Sequence, residues 1–329
     1  MSGRPRADRW QHALILVVTR ECDLRCAYCP TVKEGEPDLT VLDVRRAMSL
    51  FVDRFGGGDC KLFGGEPLLL PEVVEAVIRE APASLDVYLS TNGKNLSHRW
   101  FDLLREFPRT TLTVSLDGAV ADHDGLRRGA PTHDAVVAML PELHKLPRFV
   151  VTQTIAPSTA VRAADNFRYL LSLGIRRFNL LPGYYLPWRP AQLAALRRSF
   201  AEIGDLVAAM WKRGERVYLR NLFVNAPVPF YNTGFVVDSD KRIYPNNLVL
   251  AGNLDHLRAV ATVGTLDEPP TNEALDHAAR RSAGFLHDAL GPSIMQATAA
   301  ADAELTGLVN RLYPTYFAMR DARQADARR

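Results

Sequence analysis

Six short apolar, β-branched runs, each followed by a longer amphipathic stretch, set the strongest limit on how this chain folds. The strand-like runs are Ala13–Thr19, Cys60–Phe63, Asp86–Ser90, Thr111–Leu116, Phe149–Ile155 and Arg177–Leu181. Helical periodicity covers Val41–Phe55, Pro71–Glu80, Ser97–Phe107, Asp134–Lys145, Ala163–Leu173 and Pro190–Arg213. Alternation of this kind predicts a parallel sheet with helices outside, because parallel strands need long crossovers. Right-handed crossovers leave an open α/β sheet or a barrel. Six units fall short of the eight that close a barrel, so the expected fold class is α/β, a partial (β/α)6 TIM barrel. Polar or turn residues end several strands: Thr19–Glu21, Gly64–Glu66, Ser90–Gly93, Ser115–Gly118 and Pro182–Gly183. In a parallel sheet these ends converge on one mouth, where such folds place their ligands.

The pattern changes near residue 214. Phe235–Asp238 and Arg242–Tyr244 flank Ser239–Asp240–Lys241 as a hairpin, and an Ala-rich helical tail follows Pro269–Pro270. The predicted division is a barrel over residues 1–214 and an extension with a β-hairpin and helices over 215–329. A net charge of +3 on 329 residues gives no footprint for nucleic acid. Apolar stretches such as Ala13–Val18 are too short to cross a bilayer, and no signal peptide is visible, so no membrane partner and a cytoplasmic location are expected.

Three of the four cysteines fall in Cys22-Asp23-Leu24-Arg25-Cys26-Ala27-Tyr28-Cys29-Pro30, just past the first strand. Secreted disulfide scaffolds spread their cysteines, whereas clustered thiols in a large chain point to a metal site. Thiolates select zinc, Cu(I) or iron–sulfur clusters. Structural zinc wants four protein ligands, and Cys60 sits inside an apolar strand, so a zinc reading needs a distant histidine. Three sulfurs on a cubane leave one iron open to chelate a small molecule.

The spacing Cys-x3-Cys-x2-Cys, with Tyr28 before the last cysteine, resembles the signature of the radical S-adenosylmethionine (SAM) superfamily. The resemblance implies one [4Fe–4S] cluster on Cys22, Cys26 and Cys29. It also implies SAM chelated to the open iron and cleaved reductively to a 5′-deoxyadenosyl radical that abstracts hydrogen from substrate. Phe63-Gly64-Gly65-Glu66-Pro67 is similar to the family's GGEP motif, which binds the methionine amino group; the other reading of Glu66 is a helix N-terminal acid. Ser90-Thr91-Asn92-Gly93 resembles a strand end lying beside SAM, or else is a turn closed by Asn–Gly. Val114-Ser115-Leu116-Asp117-Gly118, followed by His123-Asp124 and Arg127-Arg128, resembles the peptide- and protein-modifying branch that includes anaerobic sulfatase maturases. That likeness assigns Ser115 and Arg127 to the SAM carboxylate or ribose, with Arg128 the alternative to Arg127. It leaves Asp117 facing substrate; at the end of the sixth strand Leu180 or Leu181 is the candidate wall for the adenine, with Leu181 assigned to the pocket. A surface ion-pair cluster is the other reading of His123, Asp124 and Arg127.

The hairpin resembles the core of the SPASM or twitch extension of that branch, with Asn232 or Thr233 and Asn246 where its cysteines stand. No cysteine follows Cys60, so auxiliary clusters are excluded by ligand count. Substrate contact then falls to side chains such as Asp238, Tyr231 or Arg220. The resemblance implies a peptide or small-molecule, amino-acid-like substrate, a flavodoxin- or ferredoxin-type electron donor and, as a candidate partner, a separate peptide-recognition protein. A glycyl-radical activase, a natural-product enzyme and a non-catalytic iron–sulfur or zinc protein are the competing readings.

Overall fold

The computed structural model describes residues 13–29, 35–223, 233–246 and 252–326. Pro30, Tyr231 and Asn232 lie outside the described residues. The elements run β1 (Ala13–Thr19), β2 (Arg25–Cys26), α1 (Val41–Phe55), β3 (Gly58–Gly64), α2 (Pro71–Glu80), β4 (Leu85–Thr91), α3 (His98–Glu106) and β5 (Thr111–Ser115). They continue with α4 (Val120–Leu126), β6 (Arg127–Arg128), α5 (His133–Ala138), α6 (Leu140–Leu143), β7 (Phe149–Ile155), α7 (Ala163–Ser172), β8 (Arg177–Pro182) and α8 (Pro190–Lys212). The C-terminal part holds β9 (Tyr218–Leu219), β10 (Thr233–Val237), β11 (Arg242–Asn246), α9 (Arg258–Ala261), β12 (Gly264–Thr265) and α10 (Asn272–Asp326).

One sheet runs in the order β12-β11-β10-β1-β3-β4-β5-β7-β8-β9, while β2 and β6 form a separate pair. From β10 through β9 every neighbour is parallel. The six anticipated βα units are its centre. The hairpin β10–β11 joins the same sheet by pairing β10 alongside β1, with Leu14 opposite Phe235. The predicted helix over Asp134–Lys145 is two short helices, because Pro141 lacks an N–H and opens a new first turn after Met139. Helix α10 is likewise interrupted at Gly291, whose φ of 74° is left-handed.

Strand alternation assigns the two faces of the sheet. Leu14, Leu16, Cys60, Leu62, Leu89, Val114, Val151 and Phe178 enter the main core with the apolar stripes of the helices. The opposite face carries Lys61 level with Tyr88, Ser90 with Thr113, Ser115 with Thr152, and Thr152 with Asn179. This face is concave. β9 lies four places from β4 in the sheet, yet Arg220, just beyond β9, sits 4.9 Å from the Tyr88 ring centre in β4. The result is a partial barrel whose lumen is polar along β3 to β8 and apolar beside β1, where Ile15, Val17, Val236 and Tyr244 cluster.

Candidate active site

Backbone contacts weld the cysteine loop to the glycine-rich end of β3. Gly65 N–H donates to Thr19 O and Glu66 N–H to Glu21 O, both at 2.8 Å. A Cβ on Gly65 would lie 1.9 Å from Glu21 O, so only glycine permits this approach. Glu66 is thereby turned into the mouth and is 1 % exposed. Its Oε1 accepts from Thr91 Oγ1 at 2.7 Å and Leu68 N–H at 3.0 Å, and its Oε2 from Asn92 N–H at 2.7 Å. Burial still dominates these bonds and raises its pKa to about 7. Pro67 starts the short turn that follows.

Asn92 joins this carboxylate to the cysteine loop. Its Nδ2 donates to Asp23 Oδ1 at 2.8 Å and stands 4.0 Å from Cys22 Sγ. Asp23 also receives Asn95 Nδ2 at 3.0 Å, with Lys94 Nζ at 3.3 Å. Burial opposes the Asp23 charge, but the two amides and the ammonium outweigh it and lower its pKa. Cys22 Sγ accepts Leu24 N–H at 3.4 Å.

A second network holds the far end of the loop. Cys26 is the register partner of Arg127 in the β2–β6 pair, and Ala27 N–H donates to Leu126 O at 2.8 Å. Arg127 donates to both oxygens of Asp117, from Nε at 2.9 Å and Nη2 at 3.0 Å. Asp117 also accepts Tyr28 Oη–H and Thr154 N–H, each at 2.9 Å. The guanidinium carbon of Arg127 lies 5.4 Å from the Tyr28 ring centre. Burial works against the Arg127 charge, but Asp117 outweighs it, so the guanidinium stays protonated. His123 Nδ1 accepts Asp117 N–H at 3.1 Å, which leaves its Nε2–H to donate to Thr132 Oγ1 at 2.8 Å. Burial, then Arg127, lowers the His123 pKa to about 4, so this ring is neutral.

The structure thus gathers Tyr28, Gly64, Gly65, Glu66, Pro67, Thr91, Asn92, Asp117 and Arg127 around one loop. Ser115 is half-buried at the end of β5, and Leu181 is half-buried on the concave face, level with Thr154. Leu180 faces the helices instead. Arg127 spends its Nε and Nη2 on Asp117. Asp238 is buried against Arg20, and Asn246 is buried in β11. Cys22, Cys26 and Cys29 are half-buried and in no disulfide. Among the described residues no three His, Cys, Asp or Glu side chains converge as a ligand set for a metal ion. The donor chemistry nonetheless suits a thiolate-bound cluster. The thiols lie within one loop, Leu24 N–H points at one sulfur, and the Arg127 cation stands near Cys26. Asp23 and Asn95 were not anticipated; Asp23 had only its place beside Cys22 to mark it.

Residues 16–157 match the Radical SAM superfamily model. PqqA peptide cyclase of Methylocella silvestris is 26% identical over 67% of this chain and 60% of its own length. GTP 3′,8-cyclase of Rhodococcus opacus is 27% identical over 53% of this chain and 54% of its own. The chain therefore spans only about half to three-fifths of the length of these curated relatives. Among solved structures, anSMEcpe with bound AdoMet superposes with a TM-score of 0.66 at 18% identity, covering 85% of this chain and 83% of that one. Streptococcus suis SuiB bound to precursor peptide SuiA gives 0.56 at 15% identity, over 73% and 60%. These likenesses show the fold. The stretch that matches the Radical SAM superfamily model holds the cysteine loop, Glu66, Asn92, Asp117 and Arg127.

Proposed function

We propose that this protein is a radical SAM enzyme with a single [4Fe–4S] cluster on Cys22, Cys26 and Cys29, acting on a peptide or amino-acid-like substrate. The observation that carries the proposal is the joining of the cysteine loop to the buried Glu66 through Asn92, Thr91 and the two glycines. When bound, the cluster and SAM supply reductive cleavage and hydrogen abstraction. The chain's own residues bind, orient and exclude water. Glu66 accepts hydrogen bonds from the methionine amino group, Thr91 and Asn92 hold Glu66, and Leu181 walls the pocket. Arg127, Asp117 and Tyr28 fix the loop that presents Cys26. The polar lumen favours a polar substrate, and the peptides in complexes of similarly folded proteins support a peptide. Residues 1–214 form the catalytic barrel in this reading, and 215–329 a cluster-free extension. A flavodoxin- or ferredoxin-type protein supplies the electron.

The test is 5′-deoxyadenosine formation by protein reconstituted anaerobically with iron and sulfide, given SAM and a strong reductant. Product that disappears in Cys26→Ala supports the proposal. A wild-type chain that takes up no iron overturns it.

A further inference from the structure

Deeper in the lumen stands a polar group for which the SAM pocket has no use. Lys61 and Tyr88 are side by side on β3 and β4. Each lies three residues before its strand end, ~10 Å below the mouth at the strand rise. Arg220 reaches across and lays its guanidinium on the Tyr88 ring at 4.9 Å. On the facing wall Arg177 lies 4.5 Å from the Tyr218 ring centre, and Tyr218 in turn stacks on Phe223 at 5.1 Å.

These cations are treated differently from the others near the barrel. Arg20, Arg127 and Arg258 are tied to carboxylates. Among the described residues neither Arg220 nor Arg177 has an ion pair or a side-chain hydrogen bond, and the Nε of Arg177 is buried without a partner. Lys61 Nζ has Asp59 at 3.9 Å, too far for a hydrogen bond. Burial lowers the Lys61 pKa, and Arg220 lowers it further against the pull of Asp59. Lys61 and Arg220 thus repel each other in a half-buried lumen, with Asp59 at ion-pair distance from Lys61 and Asp86 acting on Tyr88, and an anion between the two cations relieves that repulsion. The aromatic faces fix the guanidinium planes and leave their N–H edges open, the geometry that suits a two-oxygen acceptor.

We propose that Lys61 and Arg220, with Arg177 on the facing wall, form a subsite for an oxyanion of the substrate, a carboxylate or a phosphate. The subsite rests on the lumen being the substrate chamber of the proposed enzyme. It places the anionic end deep and the reacting hydrogen toward the mouth.

Calorimetric titration of reconstituted holoprotein with sodium glutarate, and separately with inorganic phosphate, tests it at ionic strength fixed with sodium chloride. Saturable binding is expected, weakened at least about tenfold in Lys61→Met and in Arg220→Met. Arg220→Lys keeps the charge and is expected between wild type and Arg220→Met, which separates lost recognition from lost folding. Tighter binding of glutarate marks a carboxylate-bearing substrate, and of phosphate a phosphorylated one. No saturable heat with either anion, or equal binding in all variants, overturns the subsite. Failure of the enzyme proposal shows separately as absent iron or absent SAM cleavage, since the same titration reads on cluster-free chain.

Discussion

Replacing Glu66 by glutamine gives the most direct test of how the mouth is built. The carboxylate accepts three donors on its two oxygens, Thr91 Oγ1 and Leu68 N–H on one and Asn92 N–H on the other. Glutamine has one oxygen. If it serves Thr91 and Leu68, its NH2 faces the Asn92 N–H, and that buried donor is stranded at a cost of ~1–3 kcal/mol. Opposing this, the wild-type charge is itself unfavourable, because burial raises the Glu66 pKa from 4.5 to about 7. The folded chain therefore holds this proton longer than the unfolded chain. The stability it contributes is full below pH 4.5 and is lost as pH rises through about 7. At 1.36 kcal/mol per pKa unit, the loss is about 3 kcal/mol across that window. Glutamine has no proton to lose. Wild type is expected to exceed Glu66→Gln in stability at about pH 5, and the gap is expected to shrink by about 2.5 kcal/mol by about pH 8. Urea unfolding of the cluster-free chain at several pH values measures it. A gap that stays constant with pH refutes the reasoning, because it means that folding leaves the Glu66 pKa unshifted.

SAM should reverse this preference. In the proposed role of Glu66 the SAM amino group donates to the ionised carboxylate, so SAM affinity is expected to rise through about pH 7 in wild type and to be flat and about tenfold or more weaker in Glu66→Gln, read by equilibrium binding. Cys26→Ala is expected to lose iron and 5′-deoxyadenosine together while its circular dichroism is unchanged. Cys60→Ala should keep full iron content, since Cys60 is fully buried in the helix-facing core and burial pushes its thiol up to about 12; only a stability loss of ~1 kcal/mol is expected. Asp117→Asn leaves Arg127 a buried cation with a neutral partner, with an expected loss of ~3–5 kcal/mol in thermal unfolding and reduced iron per chain.

The six βα units were legible because short apolar, β-branched runs alternate with amphipathic stretches, and β1, β3, β4 and β5 end in glycine or a small polar residue. β1 and β7 have the predicted bounds, and the hairpin was recognisable from Ser239–Asp240–Lys241. Local spacing also disclosed the cysteine loop and the glycines of β3. Partnership across the barrel was less legible. Nothing nearby in sequence indicates that Tyr28, Arg127 and Thr154 meet on the carboxylate of Asp117. Lys61, Tyr88 and Arg177 also left a trace, as polar residues at alternate positions of otherwise apolar strands. That alternation marks a polar lumen, but only the curl of the sheet brings Arg220 to Tyr88.

The C-terminal hairpin shows how its place in the sheet is held without cysteines. Its strand β10 extends the barrel sheet beside β1, and Asp238, at the hairpin's tip, forms a fully buried ion pair with Arg20, two residues before Cys22. Arg258 gathers Glu36 and Asp240 into the same network, through bonds at 2.6 and 2.7 Å. Charges this deeply buried add little net stability compared with apolar packing, but removing one partner is costly, so the pairing selects one position for the hairpin. That position reaches directly to the base of the cysteine loop. Asp238→Asn is therefore expected to raise hydrogen exchange in both β10 and the 20–29 loop together. Exchange confined to the hairpin would mean that the extension is attached to the barrel without bracing the cysteine loop.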